Sequence, residues 1–301
     1  MSLMSEFKIG ITVREVAFGQ DCKALIPNQG IDPFFLAYAI KAQTPTILNL
    51  VDAAGHGTGR LQTDRIAALK IPIPTNQSEQ VQVASMVKSL DNKIAVNDRI
   101  AGTVDSLLKA SYVAISQSTR QEVRLGRLIE LKYGKALREE NRIPGQIPVF
   151  GGNGISGSHN VPLNGGPGII VGRKGANAGS VSWSQGPFWA IDTSFYVELR
   201  SEAIPLEFLL FLLEDAGLRN LVGDSAIPGL NREIALSLTV RVPADDVVQL
   251  FAETARPLLA LNEQITQESR SVAELRNTLL PKLMSGEIRV RDAEKVVEDV
   301  T

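Results

Sequence analysis

Two stretches of the chain carry residues at alternating intervals of four and three. In the first, Val83, Val87, Leu90, Ile94, Asn97, Ala101, Val104 and Leu108 keep the spacing, and in the second Leu258, Leu261, Ile265, Glu268, Val272, Leu275 and Leu279 do so. Such spacing is the seam of a coiled coil, broken once in each stretch by a polar residue. A shift of 171 residues lays Asn97 on Glu268. A matched interruption predicts control of register, because a buried polar group costs stability unless its partner arrives in one alignment. The competing reading leaves both residues at the edge of the seam, facing water. Between Ser78 and Ser116 there is no proline and only one glycine, Gly102. A helix of about 35 residues is therefore expected there, roughly 50 Å long. The two helices most simply bury their seams against each other, and antiparallel pairing is the expected arrangement.

The chain also repeats itself outside the seams. Leu61 to Pro74 (LQTDRIAALKIPIP) is echoed by Leu230 to Pro243 (LNREIALSLTVRVP) at a shift of 169. Each ends in an alternating apolar strand, Leu69/Ile71/Ile73 or Leu238/Val240/Val242, stopped by proline. Six residues past each proline stands a glutamine, Gln80 or Gln249, after which a seam helix begins. Between the seams, roughly residues 121 to 243 form one module. Val123 to Gly126 opens it, a basic segment and a Gly/Pro-rich stretch follow, and strands are expected at Gly168 to Val171 and within Phe188 to Val197. A helix then runs from Pro205 to about Glu214 with Leu206, Leu209, Leu210 and Leu213 on its buried face. Helices and strands in this order, without repeated crossover units, predict an α+β (mixed α/β) domain. The first module repeats only the later part of the plan. Asp21 to Ile26 matches Asp192 to Val197, Pro33 to Leu36 begins the helix, and Leu61 enters the shared strand. Nothing before Phe7 matches about the first 60 residues of the second module. The first module is thus expected to be incomplete, or completed from outside the chain.

With 301 residues, 44% of them hydrophobic, the chain can bury real cores. A single cysteine, Cys22, rules out an internal disulfide and suits a reducing compartment. The first ten residues include Glu6 and Lys8 without an apolar run, and no stretch reaches 18 uncharged apolar residues, so neither an export signal nor a membrane span is expected. A cytoplasmic protein is the reading that remains. The net charge of −2 gives no global sign of a nucleic-acid partner. Locally the balance differs: Arg120 to Lys174 holds nine Lys or Arg against four acids, while Asp292, Glu294, Glu298 and Asp299 make the C-terminal tail acidic.

Candidate chemistry is sparse. Gly152-x-Gly154-x-x-Gly157 matches the dinucleotide fingerprint literally, but that motif needs a following helix whose amides meet a pyrophosphate. Ser158 to Pro167 contains two prolines and two glycines and is a poor helix. The glycines are therefore assigned to tight turns in an exposed loop, where Asn153, Ser158, His159 and Asn160 are candidate hydrogen-bonding groups toward bases or phosphates. Arg173 and Lys174, bracketed by Gly172 and Gly175, are the leading candidates for DNA contact: arginine can bridge guanine O6 and N7 or clasp a phosphate, and lysine supplies a mobile charge. The plain alternative has Arg173 fixing its loop by bonding to carbonyls or to Asp192. Lys132, Lys135, Arg138 and Arg142 suit phosphate contacts, which raise affinity without carrying sequence information. Phe188 and Trp189, beside Ala190, Ile191 and Phe195, are expected in a core rather than stacked on a base. His56, His159 and one cysteine do not form a metal cluster, and no paired carboxylates, P-loop or methyltransferase signature is present. The chain is read as a non-enzyme without a cofactor.

Ile147-Pro-Val-Phe-Gly-Gly-Asn-Gly154, Ile169-Ile-Val-Gly-Arg-Lys-Gly175, Phe188-Trp-Ala-Ile-Asp-Thr193, the twin strand-Pro-Gln-helix units and the final Leu279-Leu-Pro-Lys-Leu-Met-Ser-Gly286 together resemble the specificity subunit of type I restriction-modification systems. The resemblance implies α+β target-recognition domains joined to two long helices in an antiparallel coiled coil. It also implies that each domain reads half of a bipartite double-stranded DNA site. Methyltransferase subunits would bind the helical spacers, a restriction subunit would join through that complex, and S-adenosylmethionine and ATP would be used by these partners. On this reading, residues 1–76 are a partial first recognition domain, 77–118 the first spacer helix, 119–244 a complete second recognition domain, 245–290 the second spacer helix and 291–301 an acidic tail. The partial first domain is a departure from the family pattern. It is explained by natural truncation, by an expressed fragment, or by a half-type subunit that forms a homodimer through its coiled coil without reading DNA alone.

Overall fold

The computed structural model describes residues 7–20, 22–54, 58–117, 120–200, 204–223 and 228–298, with backbone alone at 52–54, 58–60 and 120. Asp21, His56 and Asp299, named above, lie outside the described residues. The chain divides into two compact units, Met1–Arg99 with Thr266–Thr301, and Ile100–Ile265. Among the described residues, no helix is long and apolar enough to cross a membrane.

The first unit opens with helices α1 (Pro33–Ala42) and α2 (Thr44–Asn49), a short hairpin of β1 (Asp52–Ala54) and β2 (Thr58–Arg60), and α3 (Thr63–Ala67). Asp32 caps α1 by accepting a hydrogen bond from the Phe35 amide at 2.8 Å, and proline occupies the first turn, where no amide donor is needed. Next comes α4 (Gln77–Ile115), the uninterrupted helix that the sequence predicts. Gln80, one of the two post-proline glutamines, is buried near the start of α4. Its amide oxygen accepts from the Asp32 amide at 2.9 Å, and its nitrogen donates to the carbonyls of Gly30 (3.2 Å) and Pro74 (2.9 Å). One side chain thereby satisfies backbone groups in the turns entering both α1 and α4, which a shorter or charged residue would leave unpaired.

The sequence predicts a strand at 69–73 and matches the segment ending at Ile26 to one that contains a strand, and among the described residues neither segment forms one. Their repeat equivalents in the second unit do form strands, because each has neighbours there: β3 (Arg120–Arg124) supplies the ladder for the last strand of that unit. A strand without a partner leaves its amides and carbonyls unpaired, so alternating apolar residues do not suffice.

In the second unit, β3 leads through a single turn, α5 (Leu125–Leu128), into β4 (Ile129–Tyr133). There follow β5 (Ile147–Gly151), β6 (Gly154–His159), β7 (Gly168–Gly172), β8 (Val181–Ser184), β9 (Trp189–Ala190), β10 (Ser194–Leu199), α6 (Leu206–Asp215), α7 (Arg232–Ser237) and β11 (Thr239–Pro243). The strands form an antiparallel sheet in the order β4-β10-β7-β8, a second sheet β6-β5-β9, and the pair β11-β3. β7 is buried along its whole length, as its unbroken Ile169-Ile-Val171 run implies. α6 is buried from Glu207 to Leu213, a wider burial than the one face expected of it. The reason is the ring cluster on its far side, in which Phe208 and Phe211 lie against Tyr112 (5.6 and 6.0 Å) and Phe251 (6.1 and 5.5 Å). The buried Glu207 in this helix is compensated by Arg256 at 2.7 Å.

The second long helix, α8 (Asp245–Ser285), ends at Gly286, whose φ of +76° closes the helix without the penalty a side chain would add. α9 (Val290–Glu298) follows, so the expected tail is helical here, with Ala293 buried. α4 and α8 touch in both units. In the first, Val83, Val87 and Leu90 share a core with Val272, Leu279 and Leu283, with Ile94 and Leu275 half-buried beside them. In the second, Val104, Leu108 and Tyr112 share a core with Val248, Phe251, Ala255 and Leu259. Ile265 is buried as expected, but Leu261 is 40% exposed and Leu258 only half-buried, and Leu259 takes the inward place. Phe251 and Ala255, already fixed against the ring cluster, set the phase of α8, and the next inward position lies four residues on rather than three. The strict seam spacing therefore slips by one residue.

Alongside this core runs a polar network. Asp91 of α4 accepts from Arg276 of α8 and meets Lys41 of α1 at 3.4 Å. Burial works against the Asp91 charge, yet the hydrogen bond from Arg276 and the charge of Lys41 outweigh it and hold the carboxyl below its usual range. Burial and the Asp91 charge together push the neighbouring Tyr38 hydroxyl well above the ordinary tyrosine range.

Candidate nucleic-acid interface

β5 and β6 form a hairpin whose turn is Gly152-Asn153, so the Gly152-x-Gly154-x-x-Gly157 string feeds a strand and not a helix. The helix that a dinucleotide site needs is not there, and the glycines expected in an exposed loop sit in a strand hairpin for another reason. A side chain at Gly152 would meet the Lys174 carbonyl oxygen at 2.4 Å. The hairpin turn thus presses on the segment after β7, bringing exposed Asn153 into the neighbourhood of Arg173 and Lys174.

That segment is held from both sides. The Arg173 and Lys174 amides donate to the Thr193 carbonyl (2.9 and 3.2 Å), and the Arg173 carbonyl accepts from the Leu230 amide at 2.9 Å. From this fixed backbone, Arg173 Nε donates to the Asp192 carbonyl at 2.9 Å, and its guanidinium carbon lies 5.1 Å from the centroid of the Tyr133 ring and 6.0 Å from that of Phe195. Sheet register explains the ledge: Phe195 stands opposite both Tyr133 on β4 and Val171 on β7, so the two rings lie side by side, 5.1 Å apart, two residues before Arg173. Phe195 is buried and Tyr133 exposed, giving a ledge with a dry back and a wet front. The ledge floors a cleft of about 300 Å³ lined also by Lys174, Asn231 and Arg232.

The cations of the cleft differ in commitment. Arg232 also faces Tyr133, at 5.9 Å, but its terminal nitrogens meet Glu233 at 3.0 Å and Glu130 at 4.0 Å. Among the described residues, Arg173 and Lys174 meet no carboxylate, and the two terminal nitrogens of Arg173 have no protein acceptor. Sequence reasoning names Arg173 and Lys174 but misses Tyr133, Asn231 and Arg232. Tyr133 offers one weak signal, an aromatic among basic residues; the other two arrive through α7, whose first turn Asn231 caps by accepting from the amides of Glu233 (2.9 Å) and Ile234 (3.2 Å).

The other candidates scatter. Lys135 is exposed just beyond β4, with no ion pair among the described residues. Lys132 is engaged by Glu130 at 3.1 Å and Glu198 at 3.6 Å; the hydrogen bond to Glu130 raises its pKa, and the same contact lowers that of Glu130. Arg138 faces Glu140 at 3.5 Å with both side chains in solvent, and Arg142 donates to the Ser156 carbonyl. Ser158 and Asn160 are exposed. His159 is buried: its Nδ1 accepts from the Ile143 amide at 3.0 Å and its ring stands edge-on to Trp189 at 5.4 Å, so it braces the hairpin from within. Trp189 donates from Nε1 to the Lys135 carbonyl at 2.8 Å, fixing the start of the basic loop, and Phe188 is buried against Phe150. Among the described residues, no three His, Cys, Asp or Glu side chains come together as a metal site.

The chain thus has a mixed α/β architecture with two long helices in mutual contact and, among the described residues, a cationic ledge that meets no carboxylate. Comparison with known proteins shows what it resembles. Residues 6–104 match the family model described as the type I restriction modification DNA specificity domain. A Mycoplasma genitalium protein described as a type I specificity subunit is 27% identical over 281 residues, 84% of this chain and 71% of that one. The specificity subunit of the EcoprrI type I restriction enzyme from Escherichia coli is 27% identical over 151 residues, 48% of this chain and 37% of its own length. In fold, the chain is similar to the crystal structure of the type I restriction-modification S subunit from M. genitalium, with a TM-score of 0.62 at 21% identity, covering 85% of this chain and 73% of that one. The chain resembles type I restriction-modification specificity subunits and is homologous to those of M. genitalium and E. coli.

Proposed function

We propose that the chain is a non-catalytic DNA-recognition subunit of a type I restriction-modification complex, in which residues 119–244 read one half of a bipartite duplex site. The single observation that carries this reading, beside the homology, is the pair of uncommitted cations Arg173 and Lys174 held on a rigid backbone beside the exposed Asn153 turn. Such a pairing of one oriented and one exposed cation suits a grooved polyanion. Lys135, Arg138 and Arg142, and less readily the engaged Lys132, extend it as phosphate contacts, with Ser158 and Asn160 at the rim.

Residues 77–118 and 245–290 are proposed as spacer helices in an antiparallel coiled coil whose outer faces receive methyltransferase subunits, with the restriction subunit joining through them. Partner order supports the orientation: Asp91 and Asn97 rise along α4 while their partners Arg276 and Glu268 fall along α8. Residues 1–76 are proposed as a partial recognition module and 291–301 as a terminal extension. Purifying the chain with its cognate methyltransferase and selecting from random duplexes tests the reading: a spaced motif should be enriched. A second reading, a half-type assembly subunit that dimerises without reading DNA alone, is favoured by the missing strands at 69–73. Stable assembly with no enriched sequence would replace the first reading by the second.

A further inference from the structure

We propose that Arg173 reads a single guanine, with Tyr133 as the positioning residue that aims it. The inference rests on the DNA-recognition reading above and assigns a base to it. Three constraints leave the guanidinium little freedom: a backbone fixed by Thr193 and Leu230, the Nε bond to the Asp192 carbonyl, and the Tyr133 face at 5.1 Å. What stays open is the pair of terminal nitrogens, the two parallel donors that make arginine a bidentate reader. In the major groove only guanine offers two adjacent acceptors, O6 and N7. Adenine and cytosine each present an amino donor there, and thymine a single oxygen beside a methyl group. A phosphate would accept the same fork, but a phosphate contact does not require fixed orientation, and Lys174 beside it, an exposed point charge on an unbranched stem, serves that end better. Arg232 shows what a structural arginine looks like on the same ring, since Glu130 and Glu233 neutralise it.

Tyr133 lies 55% exposed, with its ring beside buried Phe195 at 5.1 Å and the rest of it toward solvent. Its face carries Arg173, and an aromatic face attracts a guanidinium in a defined plane. Removing the ring should free the fork to rotate and blur the base preference without discharging it.

The test uses the chain assembled with its cognate methyltransferase. Duplex selection with the parent should show one position held as G:C that relaxes roughly five- to a hundred-fold in Arg173→Ala, the span expected for a bidentate base contact. Preferences elsewhere should remain. Tyr133→Leu should relax the same position partially, and Tyr133→Phe should keep the parental preference. Because Arg173→Ala can disturb folding, the parent is also tested on duplexes with 7-deazaguanine at that position, which lack N7; binding should fall several-fold there and nowhere else. If Arg173→Ala weakens all duplexes alike and lowers the salt dependence, or if 7-deazaguanine is tolerated at every position, Arg173 holds a phosphate and the guanine assignment is overturned while DNA recognition stands. If the parent enriches no motif at all, the recognition reading itself has failed.

Discussion

Asn97 donates from Nδ2 to Glu268 Oε2 at 2.8 Å across 171 residues of sequence, so each residue stands opposite its own equivalent in the repeat. Lys93 holds the other carboxylate oxygen at 2.9 Å. Asn97 is buried and Glu268 only half-buried, and the polar break shared by both heptad patterns is one contact between α4 and α8. Removing Asn97 with alanine should cost about 1–2 kcal/mol, the loss of a buried hydrogen bond to a charged group that is still partly hydrated. In a double-mutant cycle with Glu268→Ala, the coupling should reach roughly 0.5–1.5 kcal/mol by denaturant unfolding. Strict additivity of the two changes would remove the pair from any role in register.

Acid should loosen this core through two carboxylates. Hydrogen bonds from Lys93 and then Asn97 hold Glu268 below its usual range, while Asp91 is lowered by Arg276 and Lys41 against the opposing effect of burial. A depressed folded-state pKa contributes stability that is complete above the unfolded value, near pH 4, and is lost as the pH falls through the folded value. Melting temperature should therefore drop below about pH 4, and Asp91→Asn should start from a lower value at pH 7 but fall less steeply. Parallel melting curves for Asp91→Asn and parent from pH 7 to pH 3 would refute the linkage.

Two lysines three residues apart should differ in what they contribute to the salt dependence. Lys135→Ala should weaken binding across DNA sequences and reduce the logarithmic salt slope by about one, the signature of one lost phosphate contact. Lys132 is held by Glu130 and Glu198, so Lys132→Ala should change that slope by much less than Lys135→Ala does. Fluorescence anisotropy over a salt series measures both; an unchanged slope in Lys135→Ala would exclude its phosphate role.

Gly152 and Gly154 differ in what a methyl group would meet. At Gly152 it would strike the Lys174 carbonyl at 2.4 Å, whereas at Gly154, with φ of +91°, it meets nothing within 4 Å but strains the backbone. Both alanine variants should lose about 1–3 kcal/mol of stability. Only Gly152→Ala should also displace the Arg173–Lys174 segment and depress DNA binding at temperatures where the protein is fully folded. Equal binding by the two variants would separate the hairpin from the recognition surface.

Much of this was legible from spacing. The proline-free run between Ser78 and Ser116 gave α4 almost to its ends, the proline-stopped repeat gave β11, and the Ile169-Ile-Val171 run gave the buried strand β7. The cationic pair after β7 stood out because glycines bracket it in a region rich in Lys and Arg. Other features were hidden. Nothing near His159 in sequence shows that Trp189 and the Ile143 amide will enclose it, and nothing near Lys132 shows that Glu198, on another strand, will tie it down. Tyr133 joins Arg173 only because β10 lies between β4 and β7.

Sequence by itself determined the long helices, the internal repeat and the polar position shared by the seams, since each depends on the order of residues within a few turns or on comparison of the chain with itself. Only the tertiary structure decided that 69–73 stays unpaired, that Leu259 takes the inward place of Leu258 in the α8 core, and that, among the described residues, Arg232 meets carboxylates while Arg173 does not. Those outcomes depend on which backbone edge, ring or carboxylate arrives from a distant segment, and local periodicity carries no record of that arrival.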